Sequence, residues 1–557
     1  MRTILANATI HDPVHGRSGE SADIHIVDGR IVAPARADAQ DRRVDCSGLV
    51  LMAGAIDLHT HIGGGKVNIA RMLMSEDHER HQSLPTDLLR GGVGGAAPSC
   101  AITGYRYAQM GYTACFEPAM LPANARQAHL EMGDIPMVDH GAYAMLGSDD
   151  FLLTLLAQGR EQAVINDYVA WTLRATQAVG LKVVNPGGIS AFKFNQRSLD
   201  VDDLHVHYRV SPRQVVRCLA RALHDLAVPH PLHVHASNLG VPGNVQSTLA
   251  TIDAAEGLPI HLTHVQFHSY GRDGPKKFSS EAQRIADAVN AHDNVSIDIG
   301  QIMFGRTVTA SGDTQAQTRG ISLADPRRAV LMDIECDAGC GVVPFRYRDT
   351  SYVNALQWTI GLELFLAVHD PWRIFLTTDH PNGAPFTSYP RLIRLLMDRD
   401  FRNRQFDALP EEVRAISPLR DNPREYSLDE IAIMTRAAPA RILGMADRGH
   451  LGDGAAADIV AYRPDADREK MFATPVFVYK DGERVVQDGQ IIKTVIGNLH
   501  RVRPEHDAGI VTELNDWFER TQTMSTINFV IGDDEVCQCG HGMKLFTHPC
   551  QRGVFRR

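Results

Sequence analysis

The fold this sequence predicts is an α/β chain built on a (β/α)8 TIM-type barrel, with a composite β-sandwich side domain made from both chain ends. Three observations predict it. From residue 51 to residue 447, apolar strand-like runs alternate with helical stretches. The unusual polar residues of those runs fall at or just after their C-terminal ends, where barrel enzymes keep their sites. Before and after that region, short runs of alternating apolar and polar residues are joined by Asp-Gly pairs, a hairpin signal. A doubly wound open sheet would share the rhythm, but the placement of the polar residues favours the barrel.

Residues 1–50 supply the first part of the sandwich, with strand-like runs at 3–7, 23–27 and 30–32 and Asp28-Gly29 between the last two. The barrel spans 51–447. Its strand candidates are 55–59, 113–117, 181–184, 231–235, 259–265, 295–299 and 373–377, with helical segments such as 211–226 and 279–291 between them. Residues 66–112 form a long insertion carrying Arg71, His78, Arg80 and His81 and a glycine-rich run at 91–95. The phosphate-loop pattern G-x-x-x-x-G-K-[ST] is absent from it, and a lid over the pocket is the reading adopted. Residues 448–500 return to β character, with Asp481-Gly482 as a turn, and complete the sandwich, since neither end alone could bury a sheet face. Residues 501–557 form a tail read as a docking arm for a partner subunit. Its Cys537, Cys539, His541 and Cys550 match no standard zinc spacing.

Composition excludes several function classes. The 56 basic and 66 acidic residues leave a formal charge of −10, which argues against a nucleic-acid surface. No run approaches the roughly 18 apolar residues of a membrane span. The first 13 residues lack the basic start and apolar core of a signal peptide. Nine scattered cysteines, an odd number, read as reduced thiols. A soluble, cytoplasmic protein is expected.

The chain is organised around Asp57-Leu58-His59-Thr60-His61, followed at once by Gly63-Gly64-Gly65. Alternate residues of a strand face one way, so His59 and His61 converge as half of a metal site. A lone His-x-His is common, and partners are needed. Lys182 lies within the apolar run Leu181-Lys182-Val183-Val184, where an unpaired ammonium is costly to bury. As a carbamate formed with CO2 it becomes an anion able to bridge two metal ions. His233-Val234-His235 and His261-Leu262-Thr263-His264 each end an apolar run. His235 and His264, the last of each pair, are the expected ligands, with His233 and His261 behind them. Asp379 follows the run 373–377 by two residues and suits both metal ligation and proton transfer.

With these residues the chain resembles the metal-dependent amidohydrolases. Four runs bring it closer to one branch: LHTHIGGGK (58–66), KVVNPGG (182–188), HVHASNLG (233–240) and TTDHPNGAPF (377–386). These look like the A subunits of formylmethanofuran dehydrogenases and of formyltransferase/hydrolase complexes. The resemblance implies two zinc ions held by His59, His61, Lys182 (as N6-carboxylysine), His235, His264 and Asp379, with Asp379 also the catalytic residue. Lys193, in a context similar to the carboxylated lysine of cyclic amidohydrolases, and Asn238 are the expected substrate contacts. It further implies an N-formyl substrate on a formylated furfurylamine-type carrier, formate and a free amine as products, and other subunits of such a complex as partners. The alternatives are a hydantoinase-like ring-opening enzyme and a non-catalytic scaffold subunit.

Overall fold

In the computed structural model of the protein, residues 2–35, 38–74, 86–89, 100–334, 338–539 and 542–551 are described, the side chains of 538 and 539 excepted. His78, Arg80, His81 and the glycine-rich run at 91–95, expected in a lid, lie outside them.

Val50–Ala53 ties the two halves of the molecule together. It pairs in parallel with Thr3–Asp12 (Thr9 opposite Val50) and antiparallel with Ile459–Tyr462 (Ile459 opposite Ala53). A strand with neighbours on both edges and cover on both faces carries side chains that are all buried, and Val50, Leu51, Met52 and Ala53 are. The N-terminal and C-terminal segments thus share one nine-stranded, mostly antiparallel sheet, running out to Arg30–Val32 on one side and Gln490–Ile491 on the other. Both Asp-Gly turns form as read. Asp28 and Gly29 have φ of 47° and 77°, and Asp481 and Gly482 have φ of 48° and 81°, the two successive positive values a tight hairpin needs. Gly54 then carries the chain into the barrel. A Cβ there would lie 2.1 Å from Thr113 Oγ1, so only glycine passes.

Among the described residues, eight parallel strands follow in chain order, each paired with the next: Ala55–Asp57, Tyr112–Met120, Asp139–Met145, Gly180–Val184, Leu232–His235, Ile260–Leu262, Val295–Asp298 and Ile374–Phe375. A parallel bridge between Thr60 and His380, with His61 N–H donating to His380 O at 2.8 Å, closes the last strand onto the first. This is the expected barrel, and it puts both chain ends of the closure beside the His-x-His. Seven of these strands lie where the sequence places them. Asp139–Met145 was not expected, because Asp139, His140 and Gly141 interrupt its apolar run. The helix predicted over 211–226 forms as Pro212–Asp225, capped by Ser211 and Gln214 in a reciprocal capping box. The one predicted over 279–291 forms as Ala282–Ala291, its first residues instead pairing Ser279–Ser280 with Tyr270–Gly271.

Two further features bear on function. Between the seventh and eighth strands an inserted sheet, Gly305–Ser311, Val330–Ile334 and Ala338–Tyr347, packs with helix Thr314–Ala324. Ala70, of the helix Gly65–Leu73 that follows the His-x-His, packs into the same small core as Val308, Ala310, Cys340 and Val342. At the opposite end, Asp139 joins three parts of the chain. It takes Lys480 of the side sheet and Arg448, both at 3.1 Å, and His500, just before the tail, at 3.3 Å. The tail strand Leu499–Val502 pairs in parallel with Leu545–His548 and touches the third barrel strand at His140. Helix Gly509–Thr521 packs against Gln162–Ala175, where Trp171 stacks on Phe529. Cys537 and Cys550 are free thiols; the Cys539 side chain and His541 are outside the described residues. No helix of the described residues is long and apolar enough to cross a membrane.

Candidate metal centre

At the mouth of the barrel the residues singled out from sequence come together. His59 and His61 leave the first strand with their rings 6.0 Å apart and nearly perpendicular. Each turns Nδ1 outward to a buried carboxylate: His59 to Asp298 Oδ2 at 2.9 Å, His61 to Glu117 Oε1 at 2.8 Å. That leaves both Nε2 atoms facing one oxygen, Asp379 Oδ1, at 3.0 and 3.4 Å. The His59–Asp379 approach is a charge contact without hydrogen-bond alignment, since His59 Nε2 and Asp379 Oδ1 are both buried with no hydrogen-bond partner. Asp379 reaches this place on a left-handed residue (φ 49°), as does His264 (φ 37°), a strained backbone of the kind that gathers at functional sites.

Lys182, His235 and His264 stand on the fourth and fifth strands and just beyond the sixth, and line one cavity with His61 and Asp379. The rings of His235 and His264 are 4.6 Å apart, and His264 is 5.5 Å from His59. Asp298 fixes the arrangement from below. Besides His59 it takes His261 Nε2 at 3.2 Å, the His264 backbone N–H at 2.9 Å and Thr377 Oγ1 at 2.8 Å. His233 Nε2 lies 3.0 Å from His59 Nδ1. His233 and His261 therefore stand behind the expected ligands. Among the described residues, two triads each bring their ligating atoms within 4.8 Å of one another, His59–His61–Asp379 and His59–His233–Asp298. The second has its atoms already engaged in hydrogen bonds; the first opens on the cavity.

Burial and charge shape the ionisation of these groups. Burial lowers Lys182 to about 8 against the pull of Asp379 and Asp298. Its side chain is 2% exposed, with no hydrogen bond or ion pair to Nζ among the described residues. Burial also opposes the charged forms of Asp379 and Glu117. It is outweighed by His59 and His264 at the former and by Lys66 and His61 at the latter, which hold both far below the ordinary carboxylate range. His264 is driven well below its usual value by burial, with His235 and Lys182 adding to the effect. The ionised Asp379, the imidazoles of His264 and His235 that burial keeps neutral, and the orphaned atoms His59 Nε2, His264 Nδ1 and Asp379 Oδ1 are what a divalent cation requires, so the residues fit such an ion.

The two expected substrate contacts stand apart from this cavity. Lys193 Nζ faces Asp333 Oδ1 at 3.6 Å and Ile334 O at 3.4 Å on the inserted sheet. Asn238 donates to Ser247 Oγ at 2.9 Å. Both side chains are committed elsewhere: Lys193 ends the helix Gly188–Lys193 beyond the fourth strand, and Asn238 lies three residues past the end of the fifth. Sequence reasoning missed Glu117, Asp298, Lys66 and Asp313. Each is an ordinary charged residue in its own run, and only its histidine or carboxylate partner marks it.

The barrel gathers His-x-His, a strand lysine, two further histidines and a terminal aspartate into a group that could hold a metal ion. The model of the amidohydrolase family matches residues 42–486, and the chain belongs to that family. Within it, the chain is 43% identical over 515 residues to the A subunit of the formyltransferase/hydrolase complex Fhc of Methylorubrum extorquens, covering 92% of this chain and 93% of that one. It is 37% identical over 562 residues to the protein FwdA of Methanocaldococcus jannaschii, covering 96% and 97%. A crystal structure of the formyltransferase/hydrolase complex (FhcABCD) from Methylorubrum extorquens with methylofuran matches with a TM-score of 0.93 at 40% identity, over 99% of this chain and 100% of that one.

Proposed function

We propose that this protein hydrolyses an N-formyl amide on a methylofuran- or methanofuran-type carrier, giving formate and the free amine, as the A subunit of a formyltransferase/hydrolase complex. The observation that carries the reading is the convergence of His59 Nε2 and His61 Nε2 on Asp379 Oδ1, in a cavity that also takes Lys182, His235 and His264.

His59, His61, His235, His264 and Asp379 would hold two metal ions, zinc being the ion that suits imidazole and carboxylate donors. Lys182, as its carbamate, would join these residues in holding the ions. The unprotonated Nζ forms a bond to the carbon of CO2, one C–O π pair moves onto oxygen, and the nitrogen releases a proton to water. When bound, the ions supply polarisation of the amide carbonyl and acidification of a water. Asp379 takes the proton of the attacking water on the carboxylate oxygen that does not face the histidines and returns it to the departing nitrogen. Glu117 and Asp298 hold the rings of His61 and His59 in the tautomer that presents Nε2.

The cavity, of about 370 Å³, has apolar and aromatic walls that include Leu239, Phe267, Phe345 and Tyr347. It shares Pro242, Phe345 and Gln357 with a groove of about 890 Å³ that carries Lys276, Arg306, Arg327, Arg328, Arg346 and Arg348. An amide inside with a long carrier laid outward matches this shape. The test offers the purified full-length protein, with its co-purifying partners, the N-formylated carrier beside a plain hydantoin and follows formate release. Formate from the carrier alone supports the proposal. Hydantoin opening with an untouched formamide makes it a cyclic amidohydrolase, and neither reaction makes it a scaffold.

A further inference from the structure

His235 is held by a carboxylate that comes from outside the barrel. Asp313 lies between the inserted strand Gly305–Ser311 and helix Thr314–Ala324 and is fully buried. It caps that helix, its Oδ1 accepting from Ala316 N–H at 3.0 Å, and the same oxygen accepts from Asn185 Nδ2 at 3.3 Å. Asn185 is itself fixed at the end of the Lys182 strand, where its N–H donates to His235 O at 2.9 Å. A helix cap needs one oxygen. The other, Oδ2, is buried without a hydrogen-bond partner and lies 3.4 Å from His235 Nε2, which has none either. Ser311 and Gly312 line the catalytic cavity and Asp313 does not, so its carboxylate is presented to the ring of His235 and not to a substrate.

We propose that Asp313 is a positioning residue for the metal centre: its Oδ2 takes the Nε2–H of His235, fixes that tautomer and leaves Nδ1 for the ion. The inference rests on the metal reading above. It makes His235 the mirror of His59 and His61, whose Nδ1 atoms face Asp298 and Glu117 and whose Nε2 atoms are left inward. It also gives the inserted sheet a task beyond roofing the cavity. A barrel lacking that insertion would hold His235 by packing alone, and carboxylates standing behind metal-bound histidines typically matter 10–100-fold in affinity.

The substitution Asp313→Asn tests this with the size and the cap kept. Oδ1 is already claimed by two donors, so the new amide NH2 faces His235 Nε2 and opposes the tautomer. Asp313→Ser keeps a good capping oxygen but is too short to reach the ring. Full-length protein is stripped and titrated with Zn2+ and with Co2+ against a competing chelator, and the visible absorption of the cobalt form is recorded. Both variants should unfold within a few degrees of the wild type when metal-free. Both should lose about 10–100-fold in affinity for one of two ions and show an altered cobalt spectrum. Wild-type affinity and spectrum in either folded variant overturn the proposal, leaving Asp313 a helix cap. A wild-type chain that binds no metal at all overturns the metal reading itself and this inference with it. Should one variant fail to fold, the other decides.

Discussion

Glu117→Gln is the substitution whose cost can be worked out most fully. The carboxylate is buried on the second barrel strand and is surrounded by donors: His61 Nδ1 at 2.8 Å, Ile62 N at 2.8 Å, Ala119 N at 3.1 Å, and Gly63 N and Lys66 Nζ at 3.3 Å. Glutamine keeps the shape, removes the charge and turns an NH2 toward some of these donors. Lys66, only 4% exposed, then has no anionic partner in contact. Breaking a buried pair by removing one member costs about 3–5 kcal/mol. With about 2.1 cal/mol/K of unfolding entropy per residue, the 557 residues unfold with roughly 1.2 kcal/mol/K, so the metal-free midpoint should drop by about 3–4 °C. The double variant Lys66→Met/Glu117→Gln should recover much of that loss, because neutral replacements of a whole buried pair are close to neutral in stability. Glu117 is held below its ordinary value of 4.5 in the folded state, so its contribution is full above that pH and fades as pH falls toward the folded value. The gap between wild type and variant should therefore be level near neutrality and narrow below about pH 4.5. Calorimetry of the metal-free proteins measures this, and chelator competition should show a 10–100-fold weaker metal site. Equal midpoints for the single and double variants, or a single variant that matches the wild type in midpoint and metal affinity, would refute the reasoning.

Other expectations are narrower. Lys182→Ala should lose bound metal and activity, with partial return on adding short carboxylates, while Lys193→Ala should keep its metal; elemental analysis showing the reverse would move the carbamate to Lys193. The burial that brings Lys182 down to about 8 should make its carbamate form more readily as pH rises through that value, read by carbon NMR with labelled bicarbonate on metal-free protein; uptake independent of pH would remove the amine from the scheme. Asp139→Asn should lower stability by about 1.5–3 kcal/mol, because charged hydrogen bonds to Lys480 and Arg448 are lost far from the mouth while Asp458 and Asp481 still face both cations, with metal affinity unchanged; a change in affinity instead would place Asp139 in the metal site.

Strand order, the residues that meet at the barrel mouth and the two side-sheet turns were legible in the chain because each is a local pattern. His59 and His61 share a face through the two-residue period of a strand, a lysine in an apolar run has few explanations, and Asp-Gly announces a hairpin wherever it occurs. The third barrel strand escaped because Asp139, His140 and Gly141 break its apolar run, and the Asp139 carboxylate is satisfied by Lys480, Arg448 and Asn498 from the other end of the chain. The inserted sheet escaped as well, being stabilised largely by its own pairing and by packing against Gly65–Leu73. Glu117, Asp298 and Asp313 are plain carboxylates in sequence. They acquire a role only when folding sets them against His61, His59 and His235, which lie 56, 239 and 78 positions away along the chain. Ligand identity is a property of side-chain chemistry, which a sequence states outright. Ligand orientation is a property of distances between separate strands and an insertion, and only the tertiary structure sets those.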